Sequence, residues 1–182
     1  MSTTHSVYPM KYTYLLLTGL ALALTAPAHG QKIDRRLSEL GITLSAPTKP
    51  VAYYVKAVQS GKLVFLSGHI STRADGTNIV GKLGKDLTIE QGYEAAKAAT
   101  VSLLSTLKAE IGDLNNVKRI VKVTGFVNGT PDFTDQPKVI NGCSDLLVAI
   151  FGEKGRHARS AVGMASLPLN CAVEIEMIVE VD

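Results

Sequence analysis

Three ionised side chains near the C-terminus are the strongest candidates for chemistry in this chain. Arg159 stands among small residues in Ala158-Arg159-Ser160-Ala161, and Glu174 and Glu176 alternate with apolar residues in Val173-Glu174-Ile175-Glu176. A guanidinium on a strand is a fixed fork of N–H donors that can grip a carboxylate through two parallel hydrogen bonds. A carboxylate close by could take a proton from water. The plainer alternative is a strand arginine paired with a neighbouring acid for solubility, and the residue types alone leave both readings open.

The elements that must position these groups follow from period-two alternation. Val162 and Met164 share one face of a first strand, with Arg159, Ala161, Gly163 and Ala165 on the other. Val173, Ile175, Met177 and Val179 share a face of a second strand, opposite Ala172, Glu174, Glu176 and Ile178. Leu167-Pro168-Leu169-Asn170 reads as a tight connection, so the two strands are expected to form a closing hairpin. Val162 and Met164 would then feed the core, and Arg159 would share a helix-free face with Glu174, Glu176, Ile120 and Phe126. In that register Glu174 falls opposite Gly163, about 13 Å from Arg159 at roughly 3.3 Å per residue. That is too far for one small molecule, so a second subunit is expected to supply one of the pair.

Upstream, residues 53–58 and 62–67 read as strands joined by the loop Gln59-Ser60-Gly61. A polar, glycine-bearing surface loop follows from Gly68 to Lys85. The spacing predicts a long helix to Ile111, with Thr88 and Gln91 as a capping box, Gly112 as the stop and Tyr93 in the core-facing series. Residues 117–128 alternate as a long central strand with Val121, Val123 and Val127 inward. Asn128-Gly129-Thr130-Pro131 is a turn that also spells a glycosylation sequon. A second helix is expected over residues 134–151, with Ile140, Cys143, Leu147 and Ile150 along one face and Gly152 ending it. The order ββαβαββ indicates a single α+β domain, a mixed sheet with both helices on one face.

Of the 182 residues, with a net charge of +3, the first 30 read as separate from this domain. Lys11, the apolar run of residues 12–24 and the small residues Ala28 and Gly30 make a secretory signal cleaved before Gln31. Met10 reads as its natural start, which makes residues 1–9 an upstream extension. The run is shorter than the roughly 20 residues that span a bilayer, so the mature protein is expected to be exported, to a periplasm or beyond, and not held in a membrane. Residues 31–50 read as an N-terminal extension, an amphipathic piece over 33–40 and then a turn-rich connector, leaving 51–182 as the domain. The lysines are scattered, with one group at Lys82, Lys85 and Lys62 that reads as a solvated loop, which argues against nucleic acid as a partner. Cys143 reads as a buried thiol. His69 and His157 lack ligand-like spacing, so no metal site is expected.

The ordered set Tyr54, Ala57-Val58, Gly61, Leu66-Ser67-Gly68, Asn141, Arg159-Ser160, Leu167-Pro168 and Val173-Glu174-Ile175-Glu176 resembles the RidA/YjgF family, often labelled endoribonuclease L-PSP. The resemblance covers residues 50–181. It implies a chorismate-mutase-like fold, a homotrimer with clefts between subunits, and cofactor-free hydrolysis of small 2-imino and enamino acids to 2-keto acids and ammonia. It also implies roles. Arg159 matches the arginine that clamps the substrate carboxylate, and Glu174 the glutamate that orients or activates water. Tyr54, Ser67, Gly68 and Asn141 match residues lining the cleft. Ala161 stands where RidA members often carry a cysteine, and Ala52-Tyr53-Tyr54-Val55 replaces the usual Gly-Pro-Tyr-Ser, so the chain reads as a divergent member. A trimer of the same fold that binds small carboxylates without turnover is the alternative. Ribonuclease activity finds no basic stripe and no histidine pair to support it.

Overall fold

A computed structural model describes residue 1, residues 32–47 and residues 52–182. The signal expected over residues 11–30 and the end of the connector lie outside the described residues. A short helix, α1 (Lys32–Glu39), precedes β1 (Ala57–Ser60), β2 (Leu63–Ile70), α2 (Ile89–Ile111), β3 (Val117–Asn128), α3 (Gln136–Phe151), β4 (Ala158–Met164) and β5 (Val173–Val181). The five strands form one mixed sheet in the order β1-β2-β5-β3-β4, with α2 over β2 and β5 and α3 over β3 and β4. Both long helices therefore cover one face. The other face is open.

Local sequence explains the helices. Thr88 accepts from the Gln91 amide while the Gln91 side chain accepts from the Thr88 amide, closing the capping box that starts α2. Gly112 ends it at φ +77°, a left-handed turn that a side chain would strain. Ala95, Ala96, Ala99, Leu103 and Leu107 point into the core, and the small ones let the helix lie close to the sheet. Tyr93 is half-buried at the seam between the helices, where its hydroxyl donates to Asp145 at 3.0 Å. Beneath α2 and α3 lie Val64, Leu66, Ile120, Val123, Val127, Ile175, Met177 and Val179, all buried. Ile33 and Leu37 of α1 are buried as well, and Asp34 pairs with Lys108 at 2.7 Å.

The expected closing hairpin does not form. β4 and β5 are present as strands, but β4 runs parallel to β3 at the sheet edge, while β5 inserts antiparallel between β2 and β3. Residues 168–170 make a turn of 3₁₀ helix with Leu169 and Asn170 at positive φ, which carries the chain across β3 instead of folding it back. The faces of β4 are also the reverse of the expectation. Arg159 aligns with Val123 and Ala161 with Gly125, on the helix-covered side, whereas Val162 and Met164 are 42% and 38% exposed on the open face.

Two bulges account for further differences. Ile120 aligns with Val179 but Lys122 with Ile178, so one extra residue in β3 turns Ile120 into the core and leaves Val121 half-buried. Strict alternation had reversed them. In β2, Leu66 aligns with Met177 and His69 with Ile175, so Ser67 and Gly68 share a bulge and His69 turns inward. The first hairpin is also tighter than expected: β1 begins at Ala57, Tyr53 and Tyr54 lie ahead of it, and the turn sits at Gly61-Lys62. α3 starts at Gln136, two residues later than the spacing suggests. The loop after β2 is anchored, with Leu83 fully buried and Lys82 donating to the Asn128 side chain at 2.9 Å, so Lys82 is no free surface charge. Asn128, the sequon residue, is fully buried and also donates to Asn170.

Candidate functional site

Arg159, the second residue of β4, points toward α3. Its Nη1 donates to Asn141 Oδ1 at 2.9 Å and to Ser144 Oγ at 3.0 Å. Asn141 and Ser144 are three residues apart on α3 and so share a face of that helix. Ser144 Oγ lies 3.1 Å from His157 Nε2, and His157 Nδ1 lies 2.7 Å from the Gly155 carbonyl oxygen. No hydrogen bond within the described residues engages Nε or Nη2 of Arg159. The guanidinium is thus fixed at one corner and open along an edge, as carboxylate recognition requires. Burial pulls the His157 pKa below its ordinary value and the Arg159 charge adds to that, against the opposing effect of its hydrogen bond to the Gly155 carbonyl.

Glu174 belongs to a second cluster. It aligns with Ile70 on one side and Phe126 on the other, and its side chain is on the open face. Its carboxyl occupies the space beside Gly68, where a Cβ would collide with Glu174 Oε1. A side chain at position 68, whose φ is open to any residue, would therefore have to push the Glu174 carboxyl aside. Burial raises the Glu174 pKa, and the neighbouring Glu176 charge raises it further. Next to it a depression of about 340 Å³ is lined by Ser67, Glu176, Lys122, Thr124, Phe65 and Val58 among others. Among the described residues the buried Ser67 hydroxyl there has no hydrogen-bond partner, the condition of a group awaiting a ligand or a neighbouring surface.

The structure thus brings Arg159 and Asn141 together, and separately Glu174, Gly68 and Ser67. Arg159 shares a row with Met177 through Val123, three residues along β5 from Glu174 and two strands away. The two Cα positions are on the order of 14 Å apart, with the side chains on opposite faces. The separation expected from a hairpin therefore survives for a different reason. Tyr54 is half exposed ahead of β1, and Ala161 follows Arg159 on the same face, packed against the core. Ser144 and His157 join this site without being singled out by the sequence patterns. The signal was available, in the three-residue spacing from Asn141 and the two-residue spacing to Arg159. Cys143 is a free, fully buried thiol whose pKa burial raises to about 11. Among the described residues no three histidine, cysteine or acidic side chains converge as a metal site would need.

Residues 34–181 match the family model described as "YjgF/chorismate_mutase-like, putative endoribonuclease", and the chain belongs to that family. It is 43% identical over 152 residues to Protein TCP17 of Trypanosoma cruzi, covering 83% of this chain and 95% of that one. A 2-iminobutanoate/2-iminopropanoate deaminase from Dermatophagoides farinae is 32% identical over 134 residues, 74% of this chain and 90% of the relative. The crystal structure of protein Atu1372 from Agrobacterium tumefaciens superposes with a TM-score of 0.78 at 42% identity, over 85% of this chain and 96% of that one.

Proposed function

We propose that the protein hydrolyses small 2-imino and enamino acids to 2-keto acids and ammonia, in a cleft completed by a second copy of the chain. The observation that carries this reading is the Arg159 guanidinium, anchored to α3 through Nη1 with its Nε–Nη2 edge uncommitted. That edge would take the substrate carboxylate and fix the C=N carbon in place. Glu174 of a neighbouring copy would remove a proton from water as its oxygen bonds to that carbon. That proton would pass to the imine nitrogen, giving a carbinolamine, and Glu174 would then carry the adduct's hydroxyl proton to the same nitrogen as the C–N bond breaks, releasing ammonia and leaving the keto acid. A carboxyl with a raised pKa is suited to both transfers.

The open face supports the need for a second copy. Val58 and Phe65 on β1 and β2, and Val162 and Met164 on β4, are each between 38% and 51% exposed there, apolar surface at both edges of the sheet of the kind that subunits cover. A homotrimer is the assembly proposed, with export directed by the leader. Keto-acid release from freshly generated 2-iminobutanoate tests the reaction. Wild type should accelerate it and Arg159→Ala should not, whereas equal rates would exclude it. The separation of Arg159 from Glu174 within one chain favours a second reading, a trimer that binds carboxylates without turnover. Saturable 2-ketobutyrate binding with no acceleration of imine hydrolysis would select it.

A further inference from the structure

We infer that Ser144 and His157 are positioning residues that set which edge of the Arg159 guanidinium meets a ligand. The inference rests on the reading of Arg159 as a carboxylate clamp. Nη1 carries two hydrogens, and Asn141 Oδ1 and Ser144 Oγ take both. A carboxylate can approach a guanidinium end-on, across Nη1 and Nη2, or from the side, across Nε and Nη2. With Nη1 spent, only the side edge remains. The two α3 residues therefore select the direction of approach as well as holding the group.

Ser144 can do this only if its hydroxyl hydrogen points away from Arg159, and His157 makes it do so. The Gly155 carbonyl can only accept, so at 2.7 Å it assigns the ring proton to His157 Nδ1. Nε2 then presents a lone pair, 3.1 Å from Ser144 Oγ, and takes the hydroxyl hydrogen. The Ser144 lone pairs are left to face Arg159. Without that acceptor the hydroxyl could rotate and turn its hydrogen toward the cation. Gly155 supports the arrangement because a Cβ there would run into the backbone of Leu147, so the turn before β4 is pressed directly onto α3. Burial and the Arg159 charge both favour the neutral ring that this relay needs. His157 never touches the ligand. It acts through Ser144.

The test is calorimetric titration of the full chain with 2-ketobutyrate. Ser144→Ala and His157→Leu should each weaken binding about ten-fold, the order expected for one hydrogen bond to a charged group. The double variant should bind no worse than Ser144→Ala alone, because the two act in series. His157→Gln, whose side-chain oxygen can accept the Ser144 hydrogen, should recover affinity to within about two-fold of wild type on the same scale. Single variants that bind like wild type, or losses that add in the double variant, would overturn the inference while leaving the clamp intact. If Arg159→Ala itself binds normally, the clamp reading fails and this inference with it. Nitrogen chemical shifts of the His157 ring in the unsubstituted protein give a check that needs no variant. They should report the Nδ1–H tautomer, and an Nε2–H tautomer would refute the relay.

Discussion

Glu174 is held where its charge is disfavoured, and that has consequences in both stability and rate. Its folded pKa lies above its ordinary value, so the folded state favours the protonated carboxyl. The sign follows: this stability is present in full below the unfolded pKa and is lost as pH rises through the folded one. Replacing Glu174 with Gln removes the penalty, so the variant should melt above wild type at pH 7 and close to it near pH 4, measured by thermal scanning. Turnover should disappear in the same variant. In wild type the acid limb of the rate profile should fall at a pH above the ordinary carboxylate value of about 4.3. At this scale the sequence made Arg159 and Glu174 legible as chemistry but not their surroundings. Ser144 is an ordinary helix residue until α3 lies across β4, and His157 gains its meaning only from the carbonyl two residues before it.

The helix pair depends on a contact with no side chain in it. Gly142 of α3 lies against the backbone of Tyr93, where a Cβ would overlap the Tyr93 carbonyl oxygen, a group that cannot swing aside. Gly142→Ala should therefore destabilise the fold by about 1–3 kcal/mol, the range for overpacking, seen as a lower denaturation midpoint with unchanged slope. His69 ties the other helix down. It is 5% exposed, its Nδ1 donating to the Ser67 carbonyl at 2.8 Å and its Nε2 hydrogen-bonded to the Thr106 hydroxyl on α2 at 2.7 Å. Burial lowers its pKa, so its contribution is present above the unfolded value of about 6.5 and is lost as pH falls through the folded one. His69→Gln should flatten that acid-side loss in melts between pH 7 and pH 5. The helices and their stops were readable because capping residues and glycines act locally. The bulges at Ser67–Gly68 and near Val121 were not, because an inserted residue shows itself only against a partner strand. Most consequential was the pairing of β4, since alternation identifies a strand and says nothing about which neighbour it joins.

For the molecule as a whole, the open face is where the proposed assembly would form. Val162→Asp places a charge beside Met164 and Phe126 on the open face at the β4 edge without entering the core, since Val162 already faces outward. The variant should keep the wild-type circular dichroism spectrum while light scattering reports a single protomer in place of a trimer. It should also lose hydrolysis, because Arg159 and Glu174 of one chain do not meet. Wild type running as a monomer would remove the shared cleft. The arrangement of the sheet carries one more consequence, for the order in which the protein is made. Among the described strands, β2 and β3 are joined through β5, which follows both in the chain. Until those nine residues exist, the chain holds two separate pieces, the β1–β2 hairpin and the β3–β4 pair, with no shared sheet. Among the described strands the two pieces become one sheet only once β5 is in place, so a variant lacking β5 should hold no continuous sheet.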